Sequence, residues 1–182
     1  MDAITQIIGW MPSLLKATGV TVALTILSVS CGVILSLFLA LGKISKSKVL
    51  QKFSGAYIYF FRGTPLLMQL FFIYYALPQV HESLLITSSF MAAWIAYSLN
   101  SAAYLAEIIR AAIQSIDKGQ LEAARALGMS YGKTMRLVII PQSIRRLIPP
   151  LGNEFIMIVK DTSLVSSIAL VDLMKQTSQI HS

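Results

Sequence analysis

From Ala17 to Gly42 the chain runs for 26 residues without a charged side chain. As a helix rising 1.5 Å per residue, that run is about 39 Å long, which exceeds the roughly 30 Å of a bilayer's hydrocarbon core and lets it span with some tilt. Few soluble folds could hide such a segment. Composition agrees: 55% of the 182 residues are apolar and 13% are charged, a balance that belongs to the bilayer rather than to a soluble domain. The N-terminus carries Asp2 instead of a lysine cluster, and its first apolar run is too long for a cleaved signal peptide, so the reading is a retained membrane anchor. The formal charge of +7 falls in short clusters between uncharged runs, which suits a membrane protein and not a nucleic-acid binder. One cysteine, Cys31, excludes an internal disulfide framework and a thiolate metal site.

Three further spans follow. Gly63–Val80 is uncharged and the preceding Phe53–Phe61 is also apolar, while Leu84–Ala106 is uncharged over 23 residues. Val138–Val159 is oily but holds Arg145, Arg146, Pro149, Pro150 and Glu154. The expected crossings are about 17–42, 53–80, 84–113 and 138–160, with a short re-entrant or interfacial helix over about 163–175. Lysine and arginine set the orientation. The connection 43–52 holds Lys43, Lys46, Lys48 and Lys52, the connection 79–83 holds neither residue type, and 115–136 holds Lys118, Arg125, Lys133 and Arg136. The first and third connections are therefore cytoplasmic, and the N-terminus is outside. No internal repeat interrupts the pattern, so the chain reads as one all-α polytopic membrane domain.

Gly132-Lys133-Thr134 has the ending of a nucleotide-binding loop, yet the position needing a small residue five places earlier is Leu127, and no strand precedes it. The surrounding residues favour a short helix over about 119–128 instead. Gln120–Leu127 is built mostly of helix formers, Asp117 can cap its start, and Gly128 is a natural stop. It is either a solvated loop helix or a rigid knob for a cytoplasmic partner.

Ionisable groups at membrane depth default to functional candidates. On a helix over 138–160, Glu154, Met157 and Asp161 share a face, with Asn153 and Lys160 about 100° away. Two carboxylates beside an ammonium can receive a zwitterion; alternatively Lys160 and Asp161 neutralise each other at an interface. In Arg62-Gly63-Thr64-Pro65, Gly63 loosens the helix, Thr64 can cap a new one and Pro65 fits its first turn, so a broken span whose positive end faces a carboxylate or gate is expected. The competing account has Arg62 snorkel to the interface and Pro65 merely kink the span. Glu107 and Arg110, at i and i+3, form an ion pair. Asn100 bonds either a neighbouring helix or a ligand. His81 lacks metal-site companions and no serine has a nucleophile's partners, so neither metal nor catalytic residues are expected.

Glu122-Ala123-Ala124, three residues, Gly128, nine residues and then Val138-Ile139-Ile140-Pro141 resembles the EAA loop of bacterial ABC importer permeases. Together with "FFRGTPLLMQLFFIYY", "LNSAAYLAEIIRAAIQSIDKGQLEAARALGMS", "PPLGNEF" and "VKDTSL", the match extends over nearly all of the chain and resembles the polar amino acid permease subfamily. The resemblance implies a type I ABC importer transmembrane domain in a bacterial cytoplasmic (inner) membrane, here without the last span that members usually add. It also implies a coupling helix at Glu122, Ala123, Ala124 and Gly128, with Pro141 closing the motif, docked on a separate ABC ATPase that holds the ATP and Mg. No cofactor is expected on this chain itself. Further partners are a second permease copy (homodimer or close paralogue), an extracytoplasmic substrate-binding protein and a small amino acid. Carried over residue by residue, the resemblance places Leu67, Asn100, Glu154, Met157, Lys160 and Asp161 in a substrate pocket. The rival functions are a secondary transporter or channel with no ATPase partner and a membrane enzyme using the G-K-T loop.

Overall fold

The computed structural model describes residues 3–81 and 85–181, with backbone alone at 3–6 and 181. Asp2 and the expected start of the third span at Leu84 lie outside the described residues. In order come α1 (Ala3–Ile44), α2 (Lys48–Gly63), α3 (Leu66–Phe71), α4 (Leu77–Val80), α5 (Ser89–Gln114), α6 (Lys118–Ala126), α7 (Tyr131–Thr134), α8 (Ile140–Asp161) and α9 (Leu173–His181). No strand occurs among the described residues. Helix α1 is longer than its uncharged run: 42 residues, about 63 Å at 1.5 Å per residue.

The centre is a seam between α1 and α5, the most extensive contact between elements. Its α1 side is a stripe of mostly small or polar residues at helical spacing, Ala17, Thr21, Leu24, Thr25, Ser28, Gly32 and Ser36, all buried. Many of the large apolar residues of α1, including Val22, Ile26, Ile34, Leu37 and Phe38, face outward, while Leu24 and Leu39 are buried. Only 28% of its most apolar stretch is buried inside the fold. Amphipathicity is thus reversed from that of a soluble protein, as expected where the solvent is hydrocarbon and small residues let helix backbones approach. Helix α5 answers with Ala92, Ala93, Ala96, Ala102, Ala103 and Ala106, each 0% exposed. A Cβ on Gly32 would stand 2.8 Å from Ser101 Oγ and 3.3 Å from the Ala102 backbone nitrogen. Glycine therefore sets the helix separation there. Two hydroxyls of the stripe turn back on their own helix, Thr25 to Thr21 O at 2.9 Å and Ser36 to Val33 O at 2.7 Å, whereas Ser28 and Ser101 Oγ are buried with no hydrogen-bond partner among the described residues.

By length and composition Ile7–Ile44 can cross a membrane alone, and Lys48–Gly63 with Leu66–Val80 qualifies only as a pair bent by 102°. The crossing expected over 53–80 is therefore two helices meeting at a corner. Thr64 was expected to cap the second of them; instead Pro65 holds the N-cap position without a side-chain bond, and the Thr64 hydroxyl donates to Phe60 O at 2.8 Å. Within 5 residues of α3 and again before α8 the helix widens to i→i+5 bonding, over Phe72–Ala76 and Met135–Ile139. Each wide turn ends two residues before a proline, Pro78 and Pro141. A proline removes one helical N–H, and the wider turn lets the chain continue past it.

After α8 the chain differs from the single short helix expected over 163–175. Thr162–Ile168 is a tight 3-10 turn whose Val165 and Ile168 are fully buried against Leu24 and Leu70. It ends at Ala169, whose φ of 63° is left-handed. Asp172 then opens α9: its buried carboxylate accepts from Met174 N at 3.3 Å and Lys175 N at 3.0 Å.

Replacing Gly32 by valine would force α1 and α5 apart. Overpacking of this kind costs roughly 1–3 kcal/mol, so Gly32→Val is expected to lower the thermal midpoint of the detergent-purified protein, with Ile34→Val on the outward face as the near-neutral control.

Candidate functional site

The corner between α2 and α3 forms one wall of a cavity of about 320 Å³, whose lining includes Arg62, Gly63, Thr64, Pro65, Asn100, Glu154, Met157 and Asp161. That volume lies within the range of about 300–1,000 Å³ usual for small-molecule sites. The structure thus gathers the two groups of residues singled out from distant parts of the sequence. Leu66 lines the cavity in place of Leu67, and Lys160 is exposed outside the lining. Tyr104 and Ile158 also contribute. Tyr104 was legible in principle, one helical turn beyond Asn100.

Glu154 is the buried acid of the site, 6% exposed, and its carboxylate makes no hydrogen bond among the described residues. Helix α8 carries it inward because Ser143, Glu154 and Ile158 are its buried residues. Asp161 stands at the C-terminal end of the same helix, where its backbone carbonyl accepts from Tyr97 Oη at 2.7 Å. That bond ties α8 to α5, and the donor is a tyrosine 1% exposed. Among the described residues, the cavity lining has one basic side chain, Arg62. Its guanidinium lies 5.2 Å from the centroid of the Tyr104 ring, a cation–π contact that holds the charge at the wall.

Asn100 does bond a neighbouring helix. Its Nδ2 donates to Phe61 O and to Gln69 Oε1, both at 3.1 Å. Gln69, absent from the sequence-based candidates, is buried and sits four residues after Pro65, the interval at which a side chain reaches back over the preceding turn.

A second cavity of about 830 Å³ adjoins the first and shares Arg62, Gly63, Thr64 and Tyr104 with it. Its lining adds Lys43, Glu107 and Arg110. Glu107 and Arg110 form the ion pair expected from their spacing. The first cavity thus carries Glu154 and Asp161 and the second Lys43 and the Glu107–Arg110 pair, with Arg62 common to both linings.

The EAA segment forms α6. Asp117 caps it, accepting from Gly119 N at 2.6 Å, which places Gly119 inside the helix. Gly128, with φ of 76°, ends it in a Schellman arrangement: Gly128 N donates to Arg125 O at 2.9 Å and Met129 N to Ala124 O at 3.1 Å. Glu122 and Ala123 are exposed and Ala124 is buried. Leu127, 82% exposed, crowns the far end. Pro141 is exposed near the start of α8. Gly132, Lys133 and Thr134 lie in helix α7, with the Thr134 hydroxyl bonded back to Ser130 O at 3.0 Å. No cradle of converging amides forms there.

The family model described as "Binding-protein-dependent transport system inner membrane component" matches residues 32–181. An L-cystine transport system permease of Bacillus subtilis (strain 168) is 47% identical over 160 residues, covering 88% of this chain and 67% of the relative. A nopaline transport system permease of Agrobacterium fabrum is 41% identical over 186 residues, covering 98% and 77%. A crystal structure of an amino acid ABC transporter with histidines superposes with a TM-score of 0.91 at 44% identity, over 99% of this chain and 82% of that one. An inward-facing methionine ABC transporter shares the fold at 19% identity, with a TM-score of 0.74 over 98% and 82%.

Cysteines placed one at a time at Gly63 and Thr64, in a Cys31→Ser background, are expected to react with a water-soluble thiol reagent, because both positions line the two cavities. A cysteine at fully buried Leu70 is expected to stay unreactive under the same conditions.

Proposed function

Because the chain belongs to the family of binding-protein-dependent transport system inner membrane components, we propose that the 320 Å³ cavity is where its substrate rests during transport. The chain is an integral inner-membrane permease subunit of an amino acid ABC importer, and ATP hydrolysis lies in a partner subunit. The cavity reading is carried by one observation: the broken corner of α2 and α3 faces a buried Glu154 and Asp161 across a space of ligand size. The acid pair receives the amino acid's ammonium or a cationic side chain. The carboxylate lies toward Arg62 and the start of α3, where the first helical amides lack intrahelical acceptors. Met157 supplies apolar contact, and buried Glu154 with half-buried Asp161 keeps the site attractive to cations.

The working assembly proposed is two permease copies, identical or closely related, each set on an ABC ATPase through Glu122, Ala123, Ala124 and Gly128. The ATPase holds the ATP and Mg, and a substrate-binding protein delivers the amino acid from outside. In this arrangement the N-terminus is outside and α6 is in the cytoplasm, a reading supported by the lysines and arginines of the first and third connections. Helix α6 suits a mechanical contact because both ends are fixed, one by Asp117 and the other by the left-handed Gly128. ATP binding shifts the partner between conformations, and a capped helix passes that displacement into α8 without unwinding.

Two measurements on the assembled complex test this. Glu154→Gln and Asp161→Asn are each expected to raise the amino acid concentration that half-stimulates ATPase activity by about tenfold or more, equivalent to about 1.4 kcal/mol of lost charge pairing. If both leave it unmoved, the cavity is not the substrate site. Gly128→Val is expected to abolish substrate-stimulated turnover, since a β-branched residue strongly disfavours the left-handed conformation; unimpaired transport by that variant would remove α6 from the coupling path.

A further inference from the structure

Pro65 has no N–H, so the carbonyl of Phe61, four residues earlier, loses its helical donor. The corner orphans a second acceptor: Met68 N, which would reach Thr64 O in a continuous helix, donates instead to Pro65 O at 3.0 Å. Neither carbonyl can be left bare in an apolar setting. One side chain serves both. Gln69 Nε2 lies 2.9 Å from Phe61 O, 3.0 Å from Thr64 O and 2.8 Å from Thr64 Oγ1.

These three acceptors identify that end of Gln69 as its nitrogen. Its Oε1 therefore faces Asn100, and the atom of Asn100 that meets it, and that also meets Phe61 O, must be the donating Nδ2. What remains of the Asn100 amide is Oδ1, which makes no hydrogen bond among the described residues, on a residue that lines the cavity. We infer that Gln69 is a positioning residue for transport: it pins the corner between α2 and α3 to α5, and it holds Asn100 with its oxygen available to accept from the substrate's ammonium. The second half rests on the cavity being the substrate site; the first does not.

The two halves are separated by experiment on the complex reconstituted in nanodiscs, in a Cys31→Ser background. Spin labels at Tyr59→Cys and Val80→Cys, both highly exposed positions, report the angle across the corner. Gln69→Leu and the isosteric Gln69→Glu, which keeps an oxygen toward Asn100 but cannot donate to the carbonyls when ionised, are both expected to broaden the interlabel distance distribution. Both are also expected to raise the half-stimulating amino acid concentration by about tenfold or more. Asn100 shares Phe61 O with Gln69 and bonds its Oε1, so in an Asn100→Ala background Gln69→Leu is expected to shift the concentration by less than about threefold, the non-additivity of residues in one hydrogen-bond network. A side chain that merely filled space would be indifferent to residue 100. Unchanged distances in both Gln69 variants, or an equal effect of Gln69→Leu with and without Asn100, overturns the inference. A broadened distribution alongside a silent Glu154→Gln keeps the pinned corner and removes the cavity's role.

Discussion

Everything else in the fold is hung on the approach of α1 to α5 through residues with little or no side chain. Hydrocarbon gives no hydrophobic reward for pressing leucines together, so helix association must come from close van der Waals contact and from bonds between polar groups. Gly32 against Ser101 and Ala102 supplies the contact, and the alanines of α5 extend it along the helix. With α5 fixed, its remaining faces become the reference surface for the other elements. Tyr57 donates to Leu99 O at 2.9 Å, Tyr97 to Asp161 O, and Asn100 to Phe61 O. Helices α2 and α8 are thus each attached to the same helix by side-chain donors, on either side of the cavity.

Proline works as the complementary constraint. Pro65, Pro78 and Pro141 each delete a backbone donor, and the chain handles them in two ways. Before Pro78 and Pro141 it widens a turn and goes on, which preserves the direction of the helix. At Pro65 it stops, turns by 102° and recruits side chains to the freed carbonyls. The difference lies in the neighbours. Thr64, extended at φ −114° and ψ 140°, makes the stop, and Gln69 with Asn100 serves the freed acceptors.

Much of this was legible in the residues. The uncharged run in α1, the cap at Asp117, the stop at Gly128 and the i, i+3 pair of Glu107 and Arg110 are local, and local chemistry decides them. The grouping of Arg62–Pro65 with Glu154, Met157 and Asp161 is not local: only the packing of α2 and α8 against α5 shows that one cavity touches both. The bend angle was hidden for the same reason, since Gly63-Thr64-Pro65 announces a break but not its direction. Gln69 was missed because a glutamine among Leu, Met and Phe looks like an ordinary tolerated polar residue until the carbonyls it serves are located. Lys160 went the other way: helical spacing placed it beside the acids, whereas it is exposed on the adjacent face. A 100° step is enough to leave a pocket.

Arg62 joins these strands. It stands at the end of α2, where the helix's carbonyls favour a cation, over the Tyr104 ring and on the shared wall of both cavities. On one side are Glu154 and Asp161, and on the other Lys43 beside the mutually neutralised Arg110–Glu107 pair. A zwitterion taken up as proposed meets attraction for its ammonium on one side and for its carboxylate on the other, so leaving the acidic end does not return it to an indifferent surface. Passage then requires movement of the wall carrying Arg62, which is the corner of α2 and α3. That corner is bonded through Gln69 and Asn100 to α5, whose C-terminal end leads through Asp117 into α6, so a displacement of the corner would load α5 and, through it, α6.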